Sequence, residues 1–570
     1  MPDAGGMLDL TRSRVEQARP PVSTPTEPFD VVVIGAGING LAVARDAASR
    51  GLRTAVVEKD DLCAGTSSTS SKLIHGGIRY LEQFDLGLIL ESIRERDILL
   101  RTAPHLVRPY PILVPFYADN SRPGPLVRLG LALHDLMSLG RSPGRAHSVS
   151  RAEIMRRWPG LSAAGLRGGA TFVDAQVPFA ERLCVEQALD AESLGARILT
   201  HTRVHGLLLD NGRVVGVEAT DASGTPVQIR ALLTINTAGP WVDQVLVNLP
   251  GTRRLIGGTT GSHIVVDPFP GAPDICVFYE APSDHRPVWV FPWNGRYVLG
   301  CTDITFDGDP DEVTASEAEI DYLLASTNKI VPKASLQRSD ILYSFAGVRP
   351  LPYTPGASSN AEISRAHSVV NHAPRHPGLL SVVGGKLTTH RALGQDVVDE
   401  AEKVLGRHRG SVTTKSRPLP GGDTADWPAF VSDFRRRSPL ARAQTTRLLD
   451  LYGVRGQRVI DLISAEPDLA EVVDDETGAI AAEIVLAVRE EGAVTLGDVL
   501  LRRTLIGQNG DVGFAAMRKC ADVAVRHLGW TVDQAASEVD AYVREVRRYL
   551  PRMLATHPDL RAPEEVLTAP

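Results

Sequence analysis

Cysteine is scarce in this chain. The 570 residues hold five, Cys63, Cys184, Cys276, Cys301 and Cys520, scattered and with no CxxC pair. That excludes a disulfide framework or a structural zinc cluster as the organising device, and it suits a reducing cytoplasm. Long apolar runs are missing too: no stretch reaches the ~18 residues of a spanning helix. Residues 1–28 mix Arg12, Arg14 and Arg19 with Asp3, Asp9 and Glu16 and end in prolines, without the apolar core of a signal peptide. They read as a flexible tail. Nor is there a basic excess. A net charge of −7 and a pI near 6.1 argue against a nucleic-acid binder. No His, Cys or carboxylate spacing suggests a metal site. What remains is ordinary globular composition, 43% hydrophobic and 23% charged. At ~150 residues per domain the length allows three or four folding units.

Pattern begins at Phe29. Phe29-Asp30-Val31-Val32-Val33-Ile34 has the length and composition of a buried strand and enters Gly35-Ala36-Gly37-Ile38-Asn39-Gly40. A helical stretch, Leu41 to Arg50, closes on Gly51, and Thr54 to Glu58 forms a second strand. Glycine lets the backbone turn tightly against a pyrophosphate at a helix N-terminus, and a carboxylate ending the second strand can hold an adenosine ribose. Gly35, Gly37, Gly40 and Glu58 are therefore candidates for a dinucleotide site, FAD or NAD. Two later strand–turn segments could reach the same cofactor: Leu232 to Trp241, with Ala238-Gly239, and Gly378 to His390, with Gly384-Gly385.

Asn211-Gly212 and Asn294-Gly295 each sit between strand-like runs and predict type I′ hairpins, so the middle of the chain is largely antiparallel β. Residues 410–427 read as a polar linker. The rest is helical, with helices over 478–491, 496–505, 512–527 and 533–549 and a capping box at Thr495 and Asp498. One segment stands out in charge. Arg122 to Arg157 holds seven arginines against Asp135 and Glu153, and Leu126, Leu129, Leu133, Leu136 and Met137 recur within it at helical spacing. Two readings compete: a basic interfacial helix that docks on an anionic membrane, or a packed helix with a solvated basic rim.

Several longer motifs run in order: Gly65-Thr66-Ser67-Ser68, Lys72-Leu73-Ile74-His75-Gly76-Gly77-Ile78-Arg79-Tyr80-Leu81, Ala103-Pro104-His105-Leu106-Val107, Ala238-Gly239-Pro240-Trp241, Gly261-Ser262-His263-Ile264, Ala346-Gly347-Val348-Arg349-Pro350 and Gly384-Gly385-Lys386-Leu387-Thr388-Thr389. Together they resemble the FAD-dependent, quinone-linked glycerol-3-phosphate dehydrogenases from about Phe29 to Pro551. The resemblance implies a glutathione-reductase-like, Rossmann-type FAD domain over 29–409. An antiparallel-β substrate domain is interleaved with it, roughly 105–175 and 250–345, and an all-α domain follows over 428–570. It implies non-covalent FAD held by Gly35, Gly37, Gly40, Glu58, Thr66, Ser67, Lys72, Ala238, Gly239, Gly385, Lys386, Leu387 and Thr388.

It further implies oxidation of sn-glycerol 3-phosphate to dihydroxyacetone phosphate, with electrons leaving for a quinone at the inner face of the cytoplasmic membrane. A peripheral attachment follows, and a homodimer is left open. His75, Arg79, Tyr80, Arg349 and Lys386 would meet the substrate. His75 and His263 are the candidate bases, since histidine titrates near neutral pH, and the resemblance favours His263, with Arg349 positioning or polarising the hydroxyl; Asp303 is a weaker candidate for a direct role. One departure is visible. Family members often carry two acidic residues after the Asp-Ala that matches Asp174-Ala175, whereas here Pro178-Phe179 follow Gln176-Val177. The alternatives are a glycerol-3-phosphate oxidase, an amino-acid oxidase of the same superfamily, and a non-catalytic flavoprotein.

Overall fold

The computed structural model describes residues 27–77, 85–138, 143–356, 363–408 and 410–549. Arg79, Tyr80 and Arg141 lie outside the described residues. Phe29–Ile34, a run of β-branched residues buried on both faces, is the centre of the first sheet. In space the sheet runs Ser368–Asn371, Leu379–Val383, Pro226–Asn236, Phe29–Ile34, Thr54–Val57, Arg197–Leu199, and the last five strands are parallel. The Asn211-Gly212 hairpin, both residues at positive φ, pairs Arg203–Asp210 with Arg213–Thr220, which in turn runs antiparallel to the first half of Pro226–Asn236. Helix Ile38–Ser49 is rich in small residues and lies close against helix His390–Leu405. A Cβ on Gly394 would stand 2.6 Å from the Ala42 carbonyl oxygen, which is why glycine sits at that contact.

The second sheet has ten strands, almost all antiparallel. Its longest pair is Arg108–Tyr117 with Leu166–Gln176, and it carries the Asn294-Gly295 hairpin between Pro287–Trp293 and Arg296–Gly300. Thr259–Val266 is paired on both sides, by Arg296–Gly300 and by Ile341–Arg349. Alternate side chains serve two cores. Phe172, Phe291 and Trp293 join Leu448, Leu486 and Val523 of the helical domain in one core, while Leu113, Ile264 and Val290 pack with Leu323 and Leu324 of helix Glu317–Ile330 in the other.

The helical domain includes Ala481–Arg489, Phe514–Leu528 and Val532–Val546, near the expected places. Three earlier helices were not foreseen: Trp427–Arg437, Arg442–Tyr452 and Gly456–Ala465. Between Thr495 and Asp498 both reciprocal capping bonds form, at 3.1 Å each. The stretch read as a linker is fastened to the first body: Thr414 donates to Asp46, Arg417 pairs with Asp190, and the Gly421 N–H donates to Glu186.

Candidate active site

A cavity of about 450 Å³ opens along the carboxyl ends of the parallel strands. Its floor is the glycine turn. Gly35 has φ +100°, a conformation that strains any L side chain, and a Cβ on Gly40 would stand 1.9 Å from the Gly35 carbonyl oxygen. Gly37 caps helix Ile38–Ser49, whose first turn holds no acidic residue, so the helix dipole there favours an anion. Ser67 reaches over this end and accepts from the Ile38 N–H at 3.0 Å. Glu58 accepts from the N–H groups of Ala36 at 2.6 Å and Asp60 at 3.0 Å, and burial pushes its carboxyl above the usual range. Trp241 stands in the cavity wall with its buried indole N–H given no acceptor among the described residues. A glycine cradle, a dipole end, a carboxylate and an orphaned donor around one long cleft fit FAD.

Most of the expected cofactor residues line this cavity: Gly35, Gly37, Glu58, Thr66, Ser67, Ala238, Gly239, Gly385, Lys386 and Leu387. Three do not. Gly40 lies behind the turn as a packing residue. Thr388 is buried and accepts from the His75 N–H at 3.1 Å, so it braces the His75 segment against the third strand–turn. Lys72 is the clearest departure. Its ammonium is buried between Glu181, at 2.5 Å, and the Ser68 carbonyl, at 2.6 Å, and so anchors the 66–72 loop from beneath. The third strand–turn segment leads into helix His390–Leu405.

Two of the substrate candidates, Arg349 and Lys386, lie beside the Gly384–Leu387 segment, where the Gly384 N–H donates to the Pro350 carbonyl. Arg349 ends strand Ile341–Arg349, and its guanidinium donates to the carbonyls of Thr260, 2.9 Å, and Thr302, 3.0 Å. It also pairs with Asp303 at 3.1 Å. Gly261 makes this posture possible, since a Cβ there would stand 2.1 Å from Nη2. The other Asp303 oxygen takes Arg365 at 3.1 Å. Arg365 carried no motif in the sequence, because only the fold brings it to Asp303. Lys386 in the cavity wall has its pKa lowered to about 7, by burial first, with Arg365 adding to the effect and Glu91 and Asp85 opposing it.

His263 is buried in Thr259–Val266 and stacked on Phe345 at 4.7 Å between centroids, with Nε2 2.8 Å from the Ser71 hydroxyl. Burial, then the charges of Arg349 and Lys72, hold its pKa down to about 3, so the imidazole is neutral. Ser71 was not singled out in the sequence. Asp174, in the stretch that departs from the family pattern, receives the Gly76 N–H at 2.9 Å and pairs with buried Arg96. One cluster has the makings of a metal site: Asp61, His201 and Asp498. Arg502 and Arg503 already occupy both carboxylates, so the cluster is a charge-balanced brace.

Residues 30–391 match the family described as FAD dependent oxidoreductase, and residues 412–535 match the C-terminal domain of alpha-glycerophosphate oxidase. A glycerol-3-phosphate dehydrogenase of Synechocystis sp. is 40% identical over 528 residues, 90% of this chain and 95% of that one. A D-erythritol 1-phosphate dehydrogenase of Brucella abortus is 35% identical over 485 residues, 84% of this chain and 94% of that one. The X-ray structure of the glycerol-3-phosphate dehydrogenase from Bacillus halodurans, complexed with FAD, superposes with a TM-score of 0.76 at 25% identity, covering 95% of this chain and 97% of that one. Both halves of the chain are thus accounted for, and with them the cleft: the protein uses FAD and belongs to the FAD-dependent glycerol-3-phosphate dehydrogenase family.

Proposed function

We propose that the protein oxidises sn-glycerol 3-phosphate to dihydroxyacetone phosphate and hands the electrons to a membrane quinone. The observation that carries the substrate reading is a cation group: Lys386 in the cavity wall, Arg365 near enough to lower its pKa, and Arg349, between cavity-lining Val348 and Pro350, sharing Asp303 with Arg365 and adding its charge to the burial that keeps His263 neutral. A phosphate dianion asks for such a set, because a guanidinium fork gives paired charge-assisted bonds. Arg79, Tyr80 and His75 complete the proposed substrate contacts.

FAD, when bound, supplies the hydride acceptor. The protein's own part is binding, orientation and one proton. Asp303 holds Arg349 and Arg365 apart and aligned before substrate arrives. His263, uncharged, takes the hydroxyl proton, and Arg349 polarises the oxygen it leaves. An imidazole with a pKa near 3 is a weak base. The substrate dianion offsets the Arg349 charge and raises that value toward the working range, so the substrate helps arm its own base. We further propose that FAD is held non-covalently by Gly35, Gly37 and Glu58, with Gly40 packing the turn from behind. The domain division is proposed as 29–409 for the cofactor and substrate body and 428–570 for the helical domain.

The quinone part rests on helix Gly124–Met137. Four of its leucines, Leu126, Leu129, Leu133 and Leu136, are exposed at 61%, 67%, 39% and 62%, while Leu131 and His134 face the protein. A packed helix with a solvated basic rim would bury that stripe, so its exposure supports the interfacial reading. Leu86 and Leu90 are exposed on the neighbouring helix Leu86–Thr102, whose Leu88, Ile89 and Ile93 touch Met137. No helix of the described residues is long and apolar enough to cross a membrane. The apolar stripe, flanked by Arg128, Arg145 and Arg151, suits a peripheral seat on an anionic lipid face.

Anaerobic titration tests the substrate. Glycerol 3-phosphate should bleach the flavin band at stoichiometric addition, and D-erythritol 1-phosphate should do so only at much higher concentration. The reverse order would move the reading to the longer polyol phosphate, and no bleaching by either would end it. Reoxidation by a short-chain quinone faster than by air supports the acceptor; stoichiometric peroxide under air would make the protein an oxidase.

A further inference from the structure

The cofactor cavity has two wall residues from the far end of the chain. Arg548 and Tyr549, in the turn that ends helix Val532–Val546, line it together with the glycine turn, Glu58 and Thr66–Ser67. The helical domain therefore reaches the cofactor, although neither its helical pattern nor its core points there.

The approach is braced. Arg503 grips Asp61 with two bonds, 2.7 and 2.9 Å, and Arg502 bridges Asp61 at 2.6 Å, Asp498 at 2.9 Å and Glu545 at 2.8 Å. Asp61 follows Glu58 in the loop whose Cys63 N–H donates to the Ala36 carbonyl, inside the glycine turn, at 3.1 Å. Glu545 lies one helical turn before Arg548. A continuous chain of buried ion pairs and one backbone bond thus ties the final helix to the phosphate end of the cleft. The wide-turn segment Asp498–Arg503 is what lets Asp498, Arg502 and Arg503 all point the same way.

Charge decides what Arg548 is for. Its neighbouring acid, Glu545, is committed to Arg502, and no carboxylate among the described residues lies within ion-pair distance of Arg548. Lys59, another cation of the wall, is already paired with Asp311. Arg548 rests on the Tyr549 ring, 5.0 Å from its centroid, and both residues line the cavity. A bound dinucleotide brings a pyrophosphate with two negative charges to this end of the cleft. We propose that Arg548 is a cofactor-binding residue delivered by the helical domain, pairing with the FAD pyrophosphate opposite the helix N-terminus at Gly37. Cofactor binding and docking of the helical domain are then one linked equilibrium: each strengthens the other by the same factor.

The test is reconstitution of full-length apoprotein with FAD, read by quenching of flavin fluorescence. Loss of one charged hydrogen-bonding pair predicts a Kd about ten- to a hundredfold weaker in Arg548→Ala, intermediate in Arg548→Lys and weakest in Arg548→Glu. ADP, which carries the pyrophosphate without the flavin, should lose affinity in step. The thermal midpoint of the apoprotein should be unchanged in Arg548→Ala, while the rise on adding FAD shrinks. A Kd within about twofold of wild type overturns the proposal. So does an apoprotein midpoint that falls as far as that of the holoprotein, which would make Arg548 a packing residue. An ADP affinity left intact while FAD affinity falls would place the contact on the flavin half and overturn the pyrophosphate assignment.

Discussion

The two ends of the cofactor cleft are built by opposite means. The phosphate end is backbone: a glycine turn, a helix terminus and positions where a Cβ has no room. The end proposed for the substrate is side chains from three separate segments: Arg349 and Arg365, held by Asp303, and Lys386, whose charge is weakened by burial. The first is rigid and local, with its geometry written into a dozen consecutive residues. The second is adjustable and non-local, and its charges are tuned by neighbours. The contrast teaches that damage at the phosphate end should remove the cofactor outright, whereas damage at the substrate end should leave a flavoprotein with altered kinetics.

The hardest break is Gly40→Ala. Its Cβ would stand 1.9 Å from the Gly35 carbonyl oxygen and 2.6 Å from the Thr237 hydroxyl oxygen, both inside the packed turn. Overpacking of that kind costs about 1–3 kcal/mol or more. The protein should purify without flavin or fail to fold, and the flavin-to-protein absorbance ratio measures it. Gly37→Ala is the graded control, because its Cβ meets only the Ser67 hydroxyl oxygen at 3.3 Å. It should retain FAD with a Kd no more than ~tenfold weaker. Equal losses in the two variants would mean the turn is not limited by steric fit.

At the other end, Arg349→Ala should keep its flavin and lose ~100-fold or more in kcat/KM for glycerol 3-phosphate, the scale for truncating a partner of a buried charge. Residual oxidation of glycerol should hardly change, and an equal loss on both substrates would detach Arg349 from phosphate. Asp303→Asn should act more mildly, raising KM by ~tenfold with kcat less affected, since it loosens two cations without removing either. Steady-state kinetics separates the two parameters.

Lys386 supplies a pH test. With its pKa lowered to about 7, it is protonated and phosphate-binding below that value and loses its charge as pH rises through it. The substrate's second phosphate ionisation, near ~6, works the other way. The log kcat/KM profile should therefore rise through ~6 and fall above about 7. Lys386→Arg, whose charge persists, should lose the alkaline fall. If the fall stays, another group titrates there. The smallest catalytic effect should come from the surface. Leu129→Glu with Leu136→Glu should cut binding to anionic vesicles ~tenfold and leave activity with a soluble dye acceptor within ~twofold, because both leucines face solvent. Unchanged vesicle binding would remove helix Gly124–Met137 as the membrane seat.

Legibility in the sequence followed the same divide. Gly35 to Gly40, Glu58 and the two Asn-Gly hairpins were readable because each is a short stretch whose chemistry allows few backbone paths. Arg349 and Lys386 were found only through the family motifs, since a lone basic residue carries no local mark of burial. Arg365 and Ser71 had no mark at all. Lys72 misled: its place in a motif-rich loop suggests the cofactor, but Glu181, more than a hundred residues on, captures its ammonium. Helices Trp427–Arg437, Arg442–Tyr452 and Gly456–Ala465 were passed over because they are short and charged; Trp427–Arg437 buries only Phe434, and the Leu448–Tyr452 face of the second is buried against the rest of the helical domain.

By itself the sequence determined the β-α-β cradle, the order of its strands and helices, and a leucine stripe of helical period, because those depend on neighbours within a few residues. Only the tertiary structure decided which face that stripe shows, which carboxylate each arginine meets, and that Arg548 joins the wall of the cofactor cleft. Those are contests between groups distant in the chain, settled by burial and charge balance after the sheets have packed.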